Sequence, residues 1–147
     1  MINRENIYNA LLNQLSTTYN FNTVSRRLKH WNDVPVAQMP ALFLLQQHET
    51  VVTTTKMPQI VTLHPEVYIY VSTGTSQTIN PYSILNPIID NITNLFIASN
   101  FPNQSGNNNL GGLVHTCKIN GTIDTDGGIL GNIAIAIIPF EIIVPLT

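Results

Sequence analysis

The C-terminal run Ile129-Leu-Gly-Asn-Ile-Ala-Ile-Ala-Ile-Ile-Pro-Phe-Glu-Ile-Ile-Val-Pro145 decides the fold. From Ile133 to Ile138 the odd positions are isoleucine, and the even positions are alanine or isoleucine. Successive side chains of a strand point to opposite faces. This predicted strand is therefore apolar on both faces, and both faces must be covered.

Two arrangements can cover such a strand. In the first, helices of the same chain take one face, and a second subunit takes the other because only polar loops of the chain remain for it. In the second, the strand is central between two layers of the chain's own helices, which is harder to arrange with two helices in 147 residues. Pro139 cannot donate to a ladder, so we expect a bend there.

The composition favours protein partners over nucleic acid. A length of 147 residues predicts one domain spanning residues 1–147. Charged residues make up 10% of the chain, against roughly 25% in typical soluble domains. Approaching such a neutral polar surface costs little ion desolvation. Six basic residues and a net charge of −2 cannot supply the phosphate contacts on which nucleic-acid binding depends, so no nucleic-acid specificity is expected.

The patterning predicts two helices. The first runs from Arg4 to Tyr19 with Asn3 as its N-cap. The second runs from Pro81 to Ser99, where Pro87 removes a backbone bond and predicts a kink or a restart capped by Asn86. Strands are predicted over Thr23–Trp31, Ala41–Gln47, Glu49–Lys56, Ile60–Val71, Leu113–Ile123 and Asn132–Val144. The order α-β-β-β-β-α-β-β indicates an α+β fold, with a mainly antiparallel sheet and both helices packed on one face.

Four local features refine this layout. The first strand, whose faces are both mixed, is expected to be a short edge strand or an extended arm. His64-Pro65 predicts a bulge or a register change in its strand, and Asp124 to Gly128 carries the Asp-Gly chemistry of a hairpin turn. Asn100 to Gly112 is expected to be a flexible loop.

The residue patterns do not predict catalysis, a metal or a cofactor. The four histidines lie on different predicted strands with no pair at metal-ligand spacing. Asp124-Thr-Asp126 lacks the later ligands of a calcium loop, and no lysine completes a phosphate loop at Gly106 to Gly112. Cys117 is the single cysteine, so an intramolecular disulfide is excluded. It is expected to be a small core residue. We therefore expect no enzyme.

The chain carries no recognisable targeting segment. Its N-terminus has no basic region followed by an apolar one, so no signal peptide is expected. The longest apolar run, Ile133 to Ile138, is far too short to span a bilayer. A protein of the cytosol with no membrane contact is expected.

Several motifs occur in order along most of the chain. They are Ser25-Arg-Arg-Leu28, Trp31-Asn-Asp-Val-Pro35, Met39-Pro-Ala-Leu-Phe43, Leu110-Gly-Gly-Leu-Val114, Ile119-Asn-Gly-Thr-Ile123, Gly127-Gly128 and Ile138-Pro-Phe-Glu-Ile-Ile-Val144. Together with the layout of helix, strand meander, helix, long loop and terminal hairpin, this set resembles the tail terminator (tail completion) proteins of long-tailed bacteriophages.

The resemblance implies a ring, usually a hexamer, at the head-proximal end of the tail of the virion. Such a ring caps the tail tube, ends tube polymerisation and offers its other face to head-completion or connector proteins. It is assembled in the host cytoplasm, and the association is heterologous and closed. Strand addition at sheet edges is a plausible way of joining the subunits. A head–tail connector (neck) protein or a tail tube subunit is the alternative, and a small ligand-binding or enzymatic α+β domain is a further one.

Candidate contact residues lie in three parts of the chain. Arg26 and Arg27 belong to a small basic cluster that either contacts an acidic partner or is simply a solvated strand face, and Trp31 follows it. The loops Asn32–Pro40, Ser72–Asn80 and Asn100–Gly112 are expected to make contacts and to be disordered in a free monomer. The candidate residues are Arg26, Arg27, Trp31, Asn107, Asn108, Asn109, Ile133, Ile135 and Ile137.

Overall fold

A computed structural model describes residues 2–74, 78–96, 108–128 and 131–146. These residues form a six-stranded, mostly antiparallel sheet with two α-helices on one face, so the predicted α+β fold is confirmed. The helices are α1 (Arg4–Ser16) and α2 (Tyr82–Leu95). The strands are β1 (Thr23–Ser25), β2 (Ala41–Val52), β3 (Gln59–Ser72), β4 (Thr116–Ile119), β5 (Asp124–Asp126) and β6 (Ile133–Leu146).

The C-terminal strand β6 lies inside the sheet. The strand order is β1-β2-β3-β6-β4, and β5 also pairs with β6. One edge of β6 pairs with β3 from Gln59↔Leu146 to Ser72↔Ile133, and its other edge pairs first with β5 and then with β4. All these pairs are antiparallel, whereas β1 runs parallel to β2. Because β6 has neighbours on both edges, partners can reach its side chains only from the two faces of the sheet.

One face of the sheet, which we call the helix face, carries the main core. Asn3 accepts a hydrogen bond from the backbone N–H of Asn6 at 3.1 Å, so the predicted N-cap of α1 is confirmed. The even positions of β6 from Ala134 to Val144 are buried beneath the two helices, as is Cys117 of β4. The buried helix residues are Ile7, Tyr8, Leu11 and Leu15 of α1 and Leu85, Ile88 and Ile92 of α2.

The opposite face, which we call the outer face, is covered at one end by the chain itself. Residues 26–40, the arm, cross this face in two short 3₁₀ turns, Trp31–Asp33 and Val36–Gln38. Val34 and Met39 of the arm are 4% and 5% exposed. They pack on a second cluster that includes Phe43, and Tyr70 donates a hydrogen bond to the carbonyl of Lys29 at 2.7 Å. The expectation that only another subunit could cover the outer face is therefore wrong for this end.

The predicted register change at His64-Pro65 is confirmed, and the extra residue belongs to the partner strand β2. Strand β3 runs through it without interruption, and the irregularity lies in β2, between the register pairs Leu45↔Glu66 and His48↔His64. Two residues of β2 therefore stand opposite Pro65, and one of them, Gln47, adopts a φ of 54°. Proline has no N–H to donate, so a bulge at this point leaves one fewer backbone group without a ladder partner.

Other element boundaries also differ from the sequence-based ones. Strand β1 ends at Ser25, and the two strands predicted between Ala41 and Lys56 are one strand, β2. Helix α2 is a single helix that contains Pro87, so the predicted restart capped by Asn86 is wrong. The helices pack the side chains on both sides of Pro87 against the sheet, which outweighs the loss of one backbone bond.

The C-terminal part holds three strands rather than two. The segment predicted as the hairpin turn, Asp124 to Gly128, begins instead with β5, whose residues pair with Ile135 to Ile137. The connection to β6 begins after Asp126, whose Oδ1 accepts a hydrogen bond from the N–H of Gly128 at 3.2 Å. The remainder of this connection includes residues 129–130, which lie outside the described residues.

Candidate interaction surface

Beyond the arm, the outer face keeps an uncovered apolar groove. Ile135 and Ile137 of β6 are half-buried, in contrast to Ile133, which is 8% exposed because the arm lies over it. The groove has a volume of about 210 Å³ and is lined by the two isoleucines and by β5. Asp124 and Asp126 pair in register with Ile137 and Ile135, so two carboxylates flank an apolar floor. We call this site the Ile135–Ile137 groove.

A second apolar surface lies at the opposite end of the sheet. The β2–β3 hairpin extends past the helices, and its end, residues 51–60, carries four exposed large apolar side chains. They are Val51 (49% exposed), Val52 (50%), Met57 (64%) and Ile60 (39%). Lys56, at the turn, adopts a φ of 65°. We call residues 51–60 the hairpin end.

The outer edge of β2 is a third open feature. Strand β1 pairs only with Ala41 to Phe43, so the stretch from Leu44 to Val52 has no neighbouring strand on that side among the described residues. An unpaired edge exposes a row of N–H and C=O groups that can pair with another chain. The α1 side partly shields it, because Arg4 donates to both carboxylate oxygens of Glu49 at 2.7 and 2.9 Å.

Half of the basic side chains are engaged within the chain. Arg4 pairs with Glu49, Arg26 with Glu5 at 2.8 Å, and Lys118 with Glu141 at 3.5 Å. Hydrogen bonds from the two arginines lower the pKa values of the Glu5 and Glu49 carboxyls. The other three basic residues, Arg27, Lys29 and Lys56, form no ion pair within the described part of the chain.

The structure places the predicted contact residues of the arm in different environments. Arg26 is tied to α1, since its guanidinium lies over the Tyr8 ring at 5.4 Å and also bonds Glu5. Arg27 is exposed, and Trp31 is half-buried against the second cluster. Within Asn32–Pro40, Val34 and Met39 pack on the chain's own sheet whereas Val36 is 53% exposed, so the expected contacts of this loop stay a prediction.

The asparagines of the long loop serve the fold where they are described. Asn107 lies outside the described residues. Asn108 is 1% exposed, and its Nδ2 donates to Oε1 of Gln14 in α1 at 2.6 Å. Asn109 is half-buried and caps the 3₁₀ turn Leu110–Gly112 by accepting from the N–H of Gly112. The Asn108 side chain is therefore bound to α1 and is not exposed to another subunit.

One pair of side chains was not predicted from the sequence. His48 and His64 face each other across β2 and β3, with their rings stacked at 4.7 Å between centroids. The two residues are sixteen positions apart, so only the register of the hairpin brings them together. A hairpin with its turn at Thr54 to Met57 places these positions opposite each other. A correct prediction of that turn would therefore have predicted the pair.

Among residues 2–74, 78–96, 108–128 and 131–146, no three His, Cys, Asp or Glu side chains converge to hold a metal. A further groove, of about 270 Å³, lies between Arg4, Tyr8 and the bulged part of β2, and the Arg4 and Glu49 side chains in its lining pair with each other. Burial raises the pKa of the Cys117 thiol, which packs in the core as predicted.

Comparison with known proteins adds no relative. No family model matches the chain, and no curated protein shows significant similarity to it. No helix in the described ranges is long and apolar enough to cross a membrane.

Proposed function

We propose that this protein is a structural virion subunit that assembles with copies of itself into a ring capping a phage tail tube. The ring ends tube polymerisation and provides an attachment surface for head or neck proteins. The resemblance of the sequence motifs to tail terminator proteins supports this assignment. The open surfaces of the chain support the self-association that it requires.

The observation that carries the proposal is the long unpaired edge of β2. Roughly half of the residues from Leu44 to Val52 direct their N–H and C=O groups outward, because these directions alternate along an antiparallel strand. The other side of the sheet ends in two short strands, β4 and β5. A long edge and a short, different edge join head to tail by strand addition, which closes into a ring when the rotation between neighbours permits it.

The first test is the mass of the purified protein across concentration, by light scattering coupled to size exclusion, with rings examined by negative-stain microscopy. A closed species larger than a monomer is expected. A protein that remains monomeric at high concentration, and also when the tube protein of its phage is added, contradicts the proposal.

Two adjacent proline substitutions test the edge itself. In an antiparallel pair, neighbouring N–H groups point to opposite sides. Of Thr50→Pro and Val51→Pro, one variant therefore removes an outward donor and blocks assembly with little loss of fold. The other breaks a β2–β3 bond and lowers the unfolding midpoint. If both variants assemble normally, the edge is not the joining surface.

A tube subunit is the alternative that these surfaces also allow. The two functions differ in what happens to tube length. A terminator added to polymerising tube protein shortens the tubes and stays at one end, whereas a tube subunit polymerises alone into long tubes. Electron microscopy of the mixture and of the protein alone separates the two.

A further inference from the structure

We propose that the hairpin end of one copy docks into the Ile135–Ile137 groove of the next copy, with Lys56 beside Asp124. This contact rests on the proposed function, since it requires self-assembly, and it names the two surfaces that meet. The hairpin end continues from the open edge of β2, with which it shares Val51 and Val52, and the groove lies beside β5 on the opposite side of the sheet.

The hairpin end has the composition of a buried contact. Val52 and Ile60 are register partners and therefore share one face of the hairpin, and both are exposed, as is Met57 near the turn. Chains of this kind expose large apolar side chains singly rather than in groups. Met57 is also unbranched and flexible, so it adapts to an irregular groove. An apolar strand end without a cover is an aggregation site, and docking removes it from water.

The groove is complementary to this end in both size and charge. Its volume of about 210 Å³ accommodates one long side chain such as methionine, and the floor is made of two isoleucines. Asp124 is exposed and lies at the rim. Lys56 is one of only three basic residues without an ion pair in the described part of the chain. A positive turn that carries an exposed methionine therefore matches an acidic rim around an apolar floor.

The two surfaces of one copy cannot meet each other. Ile60 and Tyr68 are eight residues apart on β3, and Tyr68 is the register partner of Ile137. At about 3.3 Å per residue, the hairpin end lies about 26 Å from the groove along the strand. The contact must therefore form between copies. Because it uses different surfaces of each copy, it repeats head to tail, as a ring requires.

A disulfide cross-link tests the contact directly. Met57→Cys in one preparation is mixed with Ile137→Cys in another, and Asp124→Cys, at the rim of the groove, replaces the second variant if Ile137→Cys folds poorly. The native Cys117 is 1% exposed, so it does not compete. A dimer linked under mild oxidation in the mixture, and in neither preparation alone, is the expected result.

Charge reversal supplies the second arm. Lys56→Glu and Asp124→Lys are each expected to raise the dissociation constant of assembly about tenfold, and an equimolar mixture of the two is expected to restore a heterologous contact. Lys29→Glu is the matched control, because Lys29 is also an exposed lysine without an ion pair in the described part of the chain but lies on the arm. Its effect should be small.

The outcomes separate this contact from the ring itself. Normal oligomers without a cross-link, or with equal effects of Lys56→Glu and Lys29→Glu, overturn the hairpin contact and leave the ring standing. A wild-type protein that never assembles overturns both. Cross-linking together with specific loss and rescue by charge supports both.

Discussion

The arm divides β6 into a part that the chain covers and a part that it leaves open, and lysine substitutions should separate these parts. Ile133 is 8% exposed beneath the arm, whereas Ile137 is half-buried at the groove. Burying an isoleucine contributes about 1.5–3 kcal/mol, and an ammonium group kept at the same place costs several kcal/mol more. Ile133→Lys should therefore lose about 4–6 kcal/mol, a large part of the ~5–15 kcal/mol that stabilises a domain.

At Ile137 a lysine can place its ammonium group in solvent, because this position is only half-buried. A lysine there extends over the half-exposed surface, and its register partner is Asp124, which offers an opposite charge. Ile137→Lys should lose about 1 kcal/mol of unfolding free energy, and under the proposed function it should also weaken assembly.

Urea unfolding followed by fluorescence measures this difference. Trp31, the single tryptophan, is in the arm and packs against the cluster that contains Ile133. The emission maximum of Ile133→Lys should already be shifted to the red without denaturant, while that of Ile137→Lys should match the wild type. Equal losses at the two positions, or a harmless Ile133→Lys, would show that the arm does not cover β6 in solution.

Four further substitutions, one of them a control, address the fold. Gly121 has a φ of 126°, and an added Cβ would lie 3.0 Å from the ring of a proline, so Gly121→Ala should lose about 1–3 kcal/mol by urea titration. Gly128→Ala, with open space and no positive φ, should change little, and an equal loss would contradict this reasoning. Pro87→Ala restores a backbone N–H donor in α2 and should raise the unfolding free energy by about 1–2 kcal/mol. A lowered unfolding midpoint would instead mean that the packing of the Pro87 side chain stabilises the fold more than the restored hydrogen bond does. Burial raises the pKa values of Tyr8 and Tyr70 to about 12, above the usual value near 10, so the folded state holds these protons more tightly. This stabilisation is complete below pH 10 and is lost as the pH rises from about 10 to 12. The melting temperature should fall across that range, and less steeply in Tyr8→Phe; an unchanged slope would contradict the assigned cause.

The parts of the fold that follow from local periodicity could be predicted from the sequence. The apolar stripe of α1 and its Asn3 cap depend on neighbours within one or two turns. The double apolar character of β6 indicated a strand that must be covered on both faces, and the structure places it inside the sheet.

Features that depend on distant pairing could not be predicted in this way. Asn32–Pro40 was predicted as a loop because Pro35 and Pro40 cannot donate to a ladder, and local patterning did not show that Val34 and Met39 pack on the sheet. A register change was predicted at His64-Pro65, but the sequence did not show that the extra residue lies in the partner strand. The groove at Ile137 arises only when β5 pairs with β6. That pairing was not predicted, because Asp124 to Gly128 has the sequence of a hairpin turn.

The two cores also divide the chain into regions of different local stability. The backbone hydrogen bonds within the arm are short-range: Asp33 to His30, Val34 to Trp31, Gln38 to Pro35 and Met39 to Val36. The arm can open without breaking a sheet bond between β3 and β6. It is held by side-chain packing, by the Tyr70 hydroxyl, and at its end by the carbonyls of Gln38, Met39 and Pro40, which accept hydrogen bonds from Asn22 and Thr23. Its amide protons should therefore exchange with solvent through a partial opening while the strands remain protected. Each such opening exposes the apolar cluster of the outer face to solvent. When the arm is closed it covers this cluster, and we expect this cover to reduce aggregation.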